Sequence, residues 1–218
     1  MLAPITGLFV AVLLISNISS TKMISLFGIS FDGGTLLFPL SYIFADVLTE
    51  VYGYHKSRVV IWTGFISALL MSATFILVGL MPASPEWTMQ ASYNDILGFA
   101  PRIVLASLIA YVFGEFVNSY VLSRMKTRTN GEKQKSRFII STIFGQAFDT
   151  VIFSCIAFIG VFSIELIISV ILFNYVFKLL VETLLLPLTC RISNKLKLIE
   201  NCDVYDDGIN YHPFRGIF

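Results

Sequence analysis

The chain has 218 residues, 56% of them hydrophobic and only 13% charged, with a formal net charge of +1 and a mean hydropathy of +0.81. Soluble domains carry about 25% charged residues, so this composition excludes an ordinary soluble protein and leaves little room for a separate soluble domain. Cys155, Cys190 and Cys202 form neither a CxxC pair nor an even disulfide framework; the first two read as small apolar membrane residues and Cys202 as a free thiol.

The N-terminal run MLAPITGLFVAVLLISNISSTK lacks a basic n-region and stays apolar too far for a signal peptide, so a retained first helix over about 3–20 is expected. LFGISFDGG follows, where Gly28 and Gly33–Gly34 predict a turn or short hairpin. Further apolar segments predict helices over about 35–52, 58–80, 96–123, 138–162 and 165–190. The loop MPASPEWTMQASYND, with two prolines and Trp87, suits the membrane interface. The expected fold is an all-α, polytopic membrane protein with six transmembrane helices over 1–197, followed by a cytoplasmic tail over 198–218.

Positive charge orients these spans. His55, Lys56 and Arg58 follow the second helix, Arg124 to Arg137 the fourth, and Arg191, Lys195, Lys197 and Arg215 the sixth. Apart from Lys22, Arg102 and Lys178, every Lys and Arg falls on that one side, so these loops and both termini are expected in the cytoplasm. Arg102 is expected to snorkel towards the outer surface. The tail mixes acids with Tyr205, Tyr211, Phe214 and Phe218, which favours docking on the cytoplasmic face.

Six ionisable residues fall within the apolar segments: Asp46, Glu50, Glu115, Asp149, Lys178 and Glu182. Each costs about 2.5–3.5 kcal/mol at a bilayer centre even on a lenient scale, so facing lipid is excluded without compensation. Asp46 and Glu50 are spaced i,i+4, as are Asn174, Lys178 and Glu182; Glu115 and Asn118 are i,i+3, as are Gln146 and Asp149. Each set occupies one helix face. At 1.5 Å per residue, Lys178 lies roughly 20 Å from either end of its helix, Asp149 about 16 Å and Glu115 about 12 Å from their cytoplasmic ends. Glu50 lies close enough to an end to reach interfacial water.

A short pattern, FG[E/Q]xx[N/D][S/T], occurs in FGEFVNS of the fourth helix and FGQAFDT of the fifth. Those helices run in opposite directions, as in the inverted repeats that place matching polar groups at a transporter's central site. With Tyr42, Tyr111, Phe148 and Tyr175 nearby in the pattern, the inventory suits a small, flat, polar heterocycle, and the excess of acids over Lys178 tolerates a cationic ligand or held protons. No HExxH or GxSxG signature is present, and His55 and His212 read as solvated, so an enzyme and a metal site are not expected.

FPLSYIFADVLTEVYGYHKSR, AYVFGEFVNSYVLSRMK, STIFGQAFDT and NYVFKLLVETLLLPL resemble the queuosine precursor transporter family, also called the vitamin uptake transporter family, and the likeness runs from about residue 17 into DVYDDGINYHPF. The resemblance implies a six-helix inner-membrane importer of 7-cyano-7-deazaguanine, 7-aminomethyl-7-deazaguanine or queuine, salvaged for tRNA queuosine. It places substrate-binding residues at Asp46, Glu50, Asn118, Gln146, Asp149 and Lys178, to which spacing adds Glu115 and Asn174. At Glu115 and Asn118 the family's usual amide and acid are exchanged. Expected partners are the small-molecule base and membrane lipid, without nucleic acid or a bound cofactor, and a homo-oligomer is left open. A second reading is the substrate-binding subunit of an energy-coupling-factor importer, although LFVAVLLISNIS does not show the Ala-rich motif such subunits present.

Overall fold

The computed structural model describes residues 1–26, 29–98, 101–160, 163–206, 208 and 211. Among them are helices α1 (Leu2–Ser19), α2 (Phe38–Leu80), α3 (Gln90–Tyr93), α4 (Pro101–Arg128), α5 (Gln134–Phe158) and α6 (Ile164–Glu200). Strands β1 (Met23–Leu26) and β2 (Ile29–Asp32) form the expected hairpin, antiparallel with Met23 opposite Asp32. Phe31 seats it on α6, with ring centroids 6.2 Å from Phe173 and 6.3 Å from Phe177. The expected turn at Gly28, and His212, Phe214, Arg215 and Phe218 of the tail, lie outside the described residues.

Among the described residues, five helices are long and apolar enough to cross a membrane: α1, α2, α4, α5 and α6. Their outward surface is oily, with Leu70 69% and Leu184 77% exposed, whereas Glu115, Asn118, Gln146 and Ser154 are fully buried. A polar interior beneath an apolar exterior reverses the soluble arrangement and matches a lipid solvent. The chain is a multi-pass membrane protein.

Where two helices are expected, over 35–52 and 58–80, the structure has the single 43-residue α2, interrupted at Gly53 with φ 81° and ψ 169°. A straight helix of that length would run about 64 Å, twice the hydrocarbon thickness of about 30 Å. It does not run straight. The Thr49 and Ser57 hydroxyls are 2.7 Å apart, although eight helical residues rise about 12 Å. Gly53 thus divides α2 into two arms, 38–52 and 54–80. Its backbone lies in a region that residues with a Cβ avoid. A Cβ there would also sit 2.8 Å from both Asp206 Oδ1 and Val204 Cγ1.

The tail closes that break. Val204 N–H donates to the Val51 carbonyl at 3.2 Å. Asp206 Oδ2 accepts the Tyr54 N–H at 2.8 Å, capping the second arm as an N-cap carboxylate would, and it also accepts the Ser123 hydroxyl. Tyr211 packs its ring 5.1 Å from Tyr54 and 4.9 Å from Tyr120. The described part of the tail is docked.

Helices α4 and α6 extend to Arg128 and Glu200, beyond their expected ends at 123 and 190, because basic residues continue the helical pattern once the apolar run stops. Their side chains are not all in solvent. Lys126 is buried, its ammonium held by the Glu50 carbonyl at 2.5 Å, Asp203 at 2.6 Å and the Val204 carbonyl at 2.7 Å. Arg102, expected to snorkel, instead donates from its exposed position to the carbonyls of Ile156 at 2.7 Å and Ile159 at 2.5 Å, closing the C-terminal end of α5. His55 is exposed, as expected.

Candidate functional site

The crossing of α4 and α5 positions the site. Gly114 and Gly145 face each other: a Cβ on either would stand 3.1 Å from the other's carbonyl oxygen. The contact is reciprocal one turn further on. A Cβ on Gly114 would meet Asp149 Cβ at 2.8 Å, and one on Gly145 would meet Asn118 Cβ at 2.8 Å. The two FG[E/Q]xx[N/D][S/T] segments therefore pair head to tail about one point. Absence of side chains at the two glycines lets the backbones close up, which brings the acid and amide positions of both helices together. Tyr42, from the first arm of α2, lies against both glycines.

Around this point four helices contribute buried polar groups. Asn118 Nδ2 donates to Asp46 Oδ1 at 2.8 Å, joining α4 to α2. Lys178 pairs with Asp149 Oδ2 at 2.7 Å, joining α6 to α5, and its ammonium lies 4.9 Å over the Phe38 ring. Gln146 Nε2 donates to Glu182 Oε1. Glu115 is fully buried, and neither of its carboxylate oxygens has a hydrogen-bond partner. Also without partners are the Tyr42 and Tyr111 hydroxyls and the side-chain carbonyl oxygens of Asn118, Gln146 and Asn174. Buried polar groups are normally satisfied, so this concentration of open donors and acceptors makes the layer the candidate site for a polar molecule.

Two clefts approach the layer from opposite ends. One, of about 370 Å³ including the open space at its mouth, is lined by Ser20, Thr35, Phe38, Asp149, Asn174 and Lys178. The other, of about 260 Å³ by the same measure, is lined by Asp46, Phe138, Thr142, Glu182, Leu186 and Thr189.

Of the sequence-predicted residues, Asp46, Glu115, Asn118, Gln146, Asp149, Asn174 and Lys178 fall in or beside this layer. Glu50 does not join them. Its carboxylate takes Arg137 at 2.6 Å and Lys197 at 2.7 Å, tying the Gly53 end of the first arm of α2 to the N-terminal part of α5 and the C-terminal part of α6. Among the aromatics, Tyr42 and Tyr111 are buried at the site and Tyr175 is half-buried, but Phe148 is 48% exposed on the outer face. Phe148 lies one residue before Asp149, and the 100° step that turns Asp149 inward turns Phe148 outward. Glu182 was recognisable as a buried acid yet absent from the expected site; its place four residues after Lys178 was the signal. The burial of Arg137 had no such local signal.

The family model described as "Putative vitamin uptake transporter" matches residues 32–192. A Bacillus subtilis (strain 168) protein named "Probable queuosine precursor transporter" is 31% identical over 176 residues, covering 79% of this chain and 76% of that protein. The Escherichia coli (strain K12) "Queuosine precursor transporter" is 28% identical over 189 residues, covering 83% and 81%. A Haemophilus influenzae protein named "Probable queuosine precursor transporter" is 27% identical over 128 residues, covering 57% and 51%. No solved structure matches. With the family model spanning most of its length, the chain belongs to the vitamin uptake transporter family, the queuosine precursor transporters.

Proposed function

We propose that the protein imports queuosine precursors (7-cyano-7-deazaguanine, 7-aminomethyl-7-deazaguanine or queuine) across the cell's inner membrane, by exposing the buried polar layer alternately to each side. The observation that carries this is the convergence of open polar groups from α2, α4, α5 and α6 beneath a lipid-facing exterior. The relatives are named as transporters, which favours an importer over an energy-coupling-factor subunit. In this reading the chain crosses the membrane six times, with both arms of α2 as spans, and both termini are cytoplasmic. The cleft lined by Ser20 and Thr35 then faces outward, and the one lined by Phe138 and Thr189 faces the cytoplasm.

A guanine-like edge presents N–H donors beside a carbonyl acceptor. Glu115 is the best acceptor for the ring N–H and exocyclic amine, since both its oxygens are unengaged; Asp149, the other candidate, is already held by Lys178. The open carbonyl oxygens of Asn118 and Gln146 accept further N–H groups, and the Tyr42 and Tyr111 hydroxyls donate to the base carbonyl. Lys178 orients Asp149, and Asn174 faces the same outer cleft. Asp46 fixes Asn118. Import is measured in a strain that depends on salvaged base for tRNA queuosine, with guanine as the competing control. Glu115→Gln and Asp149→Asn should each lower import at least tenfold; undiminished import in both would refute the assignment.

A further inference from the structure

The buried layer has an unbalanced charge. Asp46, Glu115, Asp149 and Glu182 enter it from four helices with a single cation, Lys178. If all five were ionised the layer would hold four negative charges and one positive, a net of −3. Lys178 is spent on Asp149. Arg137, Lys197 and Lys126 are engaged elsewhere: Arg137 and Lys197 hold Glu50, and Lys126 holds the Glu50 carbonyl and Asp203. Arg58 lies beyond the Gly53 break, with its guanidinium 5.8 Å over the Tyr54 ring.

Burying one uncompensated carboxylate costs several kcal/mol, and three in one place repel each other besides. Among the described residues no three His, Cys, Asp or Glu side chains are grouped closely enough to hold a metal ion between them. The side-chain amides of Asn118 and Gln146 donate hydrogen bonds to Asp46 and Glu182. Glu115 accepts no hydrogen bond, and the titratable groups facing it are Tyr42 and Asp46 from α2, Tyr111 from its own helix, Asp149 from α5, and Glu182 from α6. Three of those five are carboxyls.

From this inventory we infer that import moves positive charge inward through the layer: a proton held on Asp46, Glu115 or Glu182 accompanies each neutral base, and a base bearing its own ammonium takes the place of that proton. The clefts supply the two ends of the path. A proton enters from outside through the cleft at Asp149 and Asn174, is held on a carboxyl of the layer, and leaves to cytoplasmic water through the cleft at Asp46 and Glu182. No bond other than O–H forms or breaks. One proton crosses per neutral base, and the carboxyl returns to its starting state. The inference rests on the transport reading above and adds its driving force.

The test uses the full chain in proteoliposomes, with 7-cyano-7-deazaguanine as the neutral probe and 7-aminomethyl-7-deazaguanine as the cationic one. With the outside one pH unit more acid and the membrane potential clamped at zero, one proton per base accumulates the neutral probe about tenfold at equilibrium, since each pH unit is a factor of ten in proton activity. A protonophore returns the ratio to one. The cationic probe accumulates less than twofold under the same pH gradient and responds instead to a potential, negative inside. Glu182→Gln lowers the neutral probe's ratio below threefold, each variant being compared with itself at equal pH; if it does not accumulate in the membrane, Asp46→Asn serves in its place. Equal filling with and without the gradient in the unaltered protein overturns the inference while leaving the transport reading standing, and a sodium gradient that drives accumulation where protons do not overturns it too. No entry of either base under any condition refutes the transport reading itself.

Discussion

Replacing Asp206 with alanine should release the tail from the Gly53 break. The carboxylate accepts the Tyr54 N–H at 2.8 Å and the Ser123 hydroxyl, in a position only 6% exposed. Loss of an N-cap acceptor costs about 0.5–2 kcal/mol, and a buried N–H left without a partner about 1–3 kcal/mol. The two figures describe overlapping losses, so about 1–3 kcal/mol of docking free energy is expected to go, roughly 5- to 140-fold in the docked-to-undocked ratio. Hydrogen exchange in detergent or nanodiscs reads this directly, because the Tyr54 and Val204 amides are protected only when the tail is seated. Both should lose protection by that factor, whereas amides in the middle of α4 and α5 should not change. Asp206→Asn keeps one acceptor oxygen and should recover a large part of the protection. Unchanged exchange over residues 50–56 and 202–206 in the alanine variant would refute the capping role.

Three further outcomes follow from named contacts. Burial pushes the Asp203 carboxyl up, but the hydrogen bonds and charges of Lys126 and Lys197 outweigh it and hold it below its ordinary value. A carboxyl depressed by folding adds stability above its unfolded value, near 3.9, and loses it as pH falls through the folded value. Tail proteolysis should therefore be flat from about pH 5 to 8 and rise only below about pH 4, and Asp203→Asn should remove that acid limb; a limb that persists in the variant, or loosening that begins above pH 6, would show that another group controls docking. Glu50→Gln removes the partner of fully buried Arg137 and should cost about 3–5 kcal/mol of stability, seen as a lowered Tm with base affinity changed less than threefold; lost affinity at unchanged Tm would return Glu50 to the substrate site. Gly114→Ala would force a methyl to 2.8 Å from Asp149 Cβ and 3.1 Å from the Gly145 carbonyl, costing about 1–3 kcal/mol. Import should fall at least tenfold in either Gly114→Ala or Gly145→Ala, with the double variant less than additive because both push at one crossing; full import in both would mean the helices need not close there.

Local chemistry made much of this protein legible in its residues. Apolar runs long enough for a bilayer, with acids that lipid would not accept, required helices packed around a polar interior. The i,i+3 and i,i+4 spacings then told which acids share a face, and the repeated FG motif marked the two segments that meet. Partner choice was another matter. Lys178 had Glu182 one turn away but pairs with Asp149, 29 residues earlier. Glu50 has only a like charge, Asp46, one turn away and pairs with Arg137, 87 residues on. The docking of Asp206 on Tyr54 spans 152 residues. Spacing along one helix sets its faces but not the rotation of that helix against its neighbours, and an ion pair depends on that rotation to within an ångström. The glycine crossing of α4 and α5, and the tail seated at Gly53, supply it only once the chain is folded.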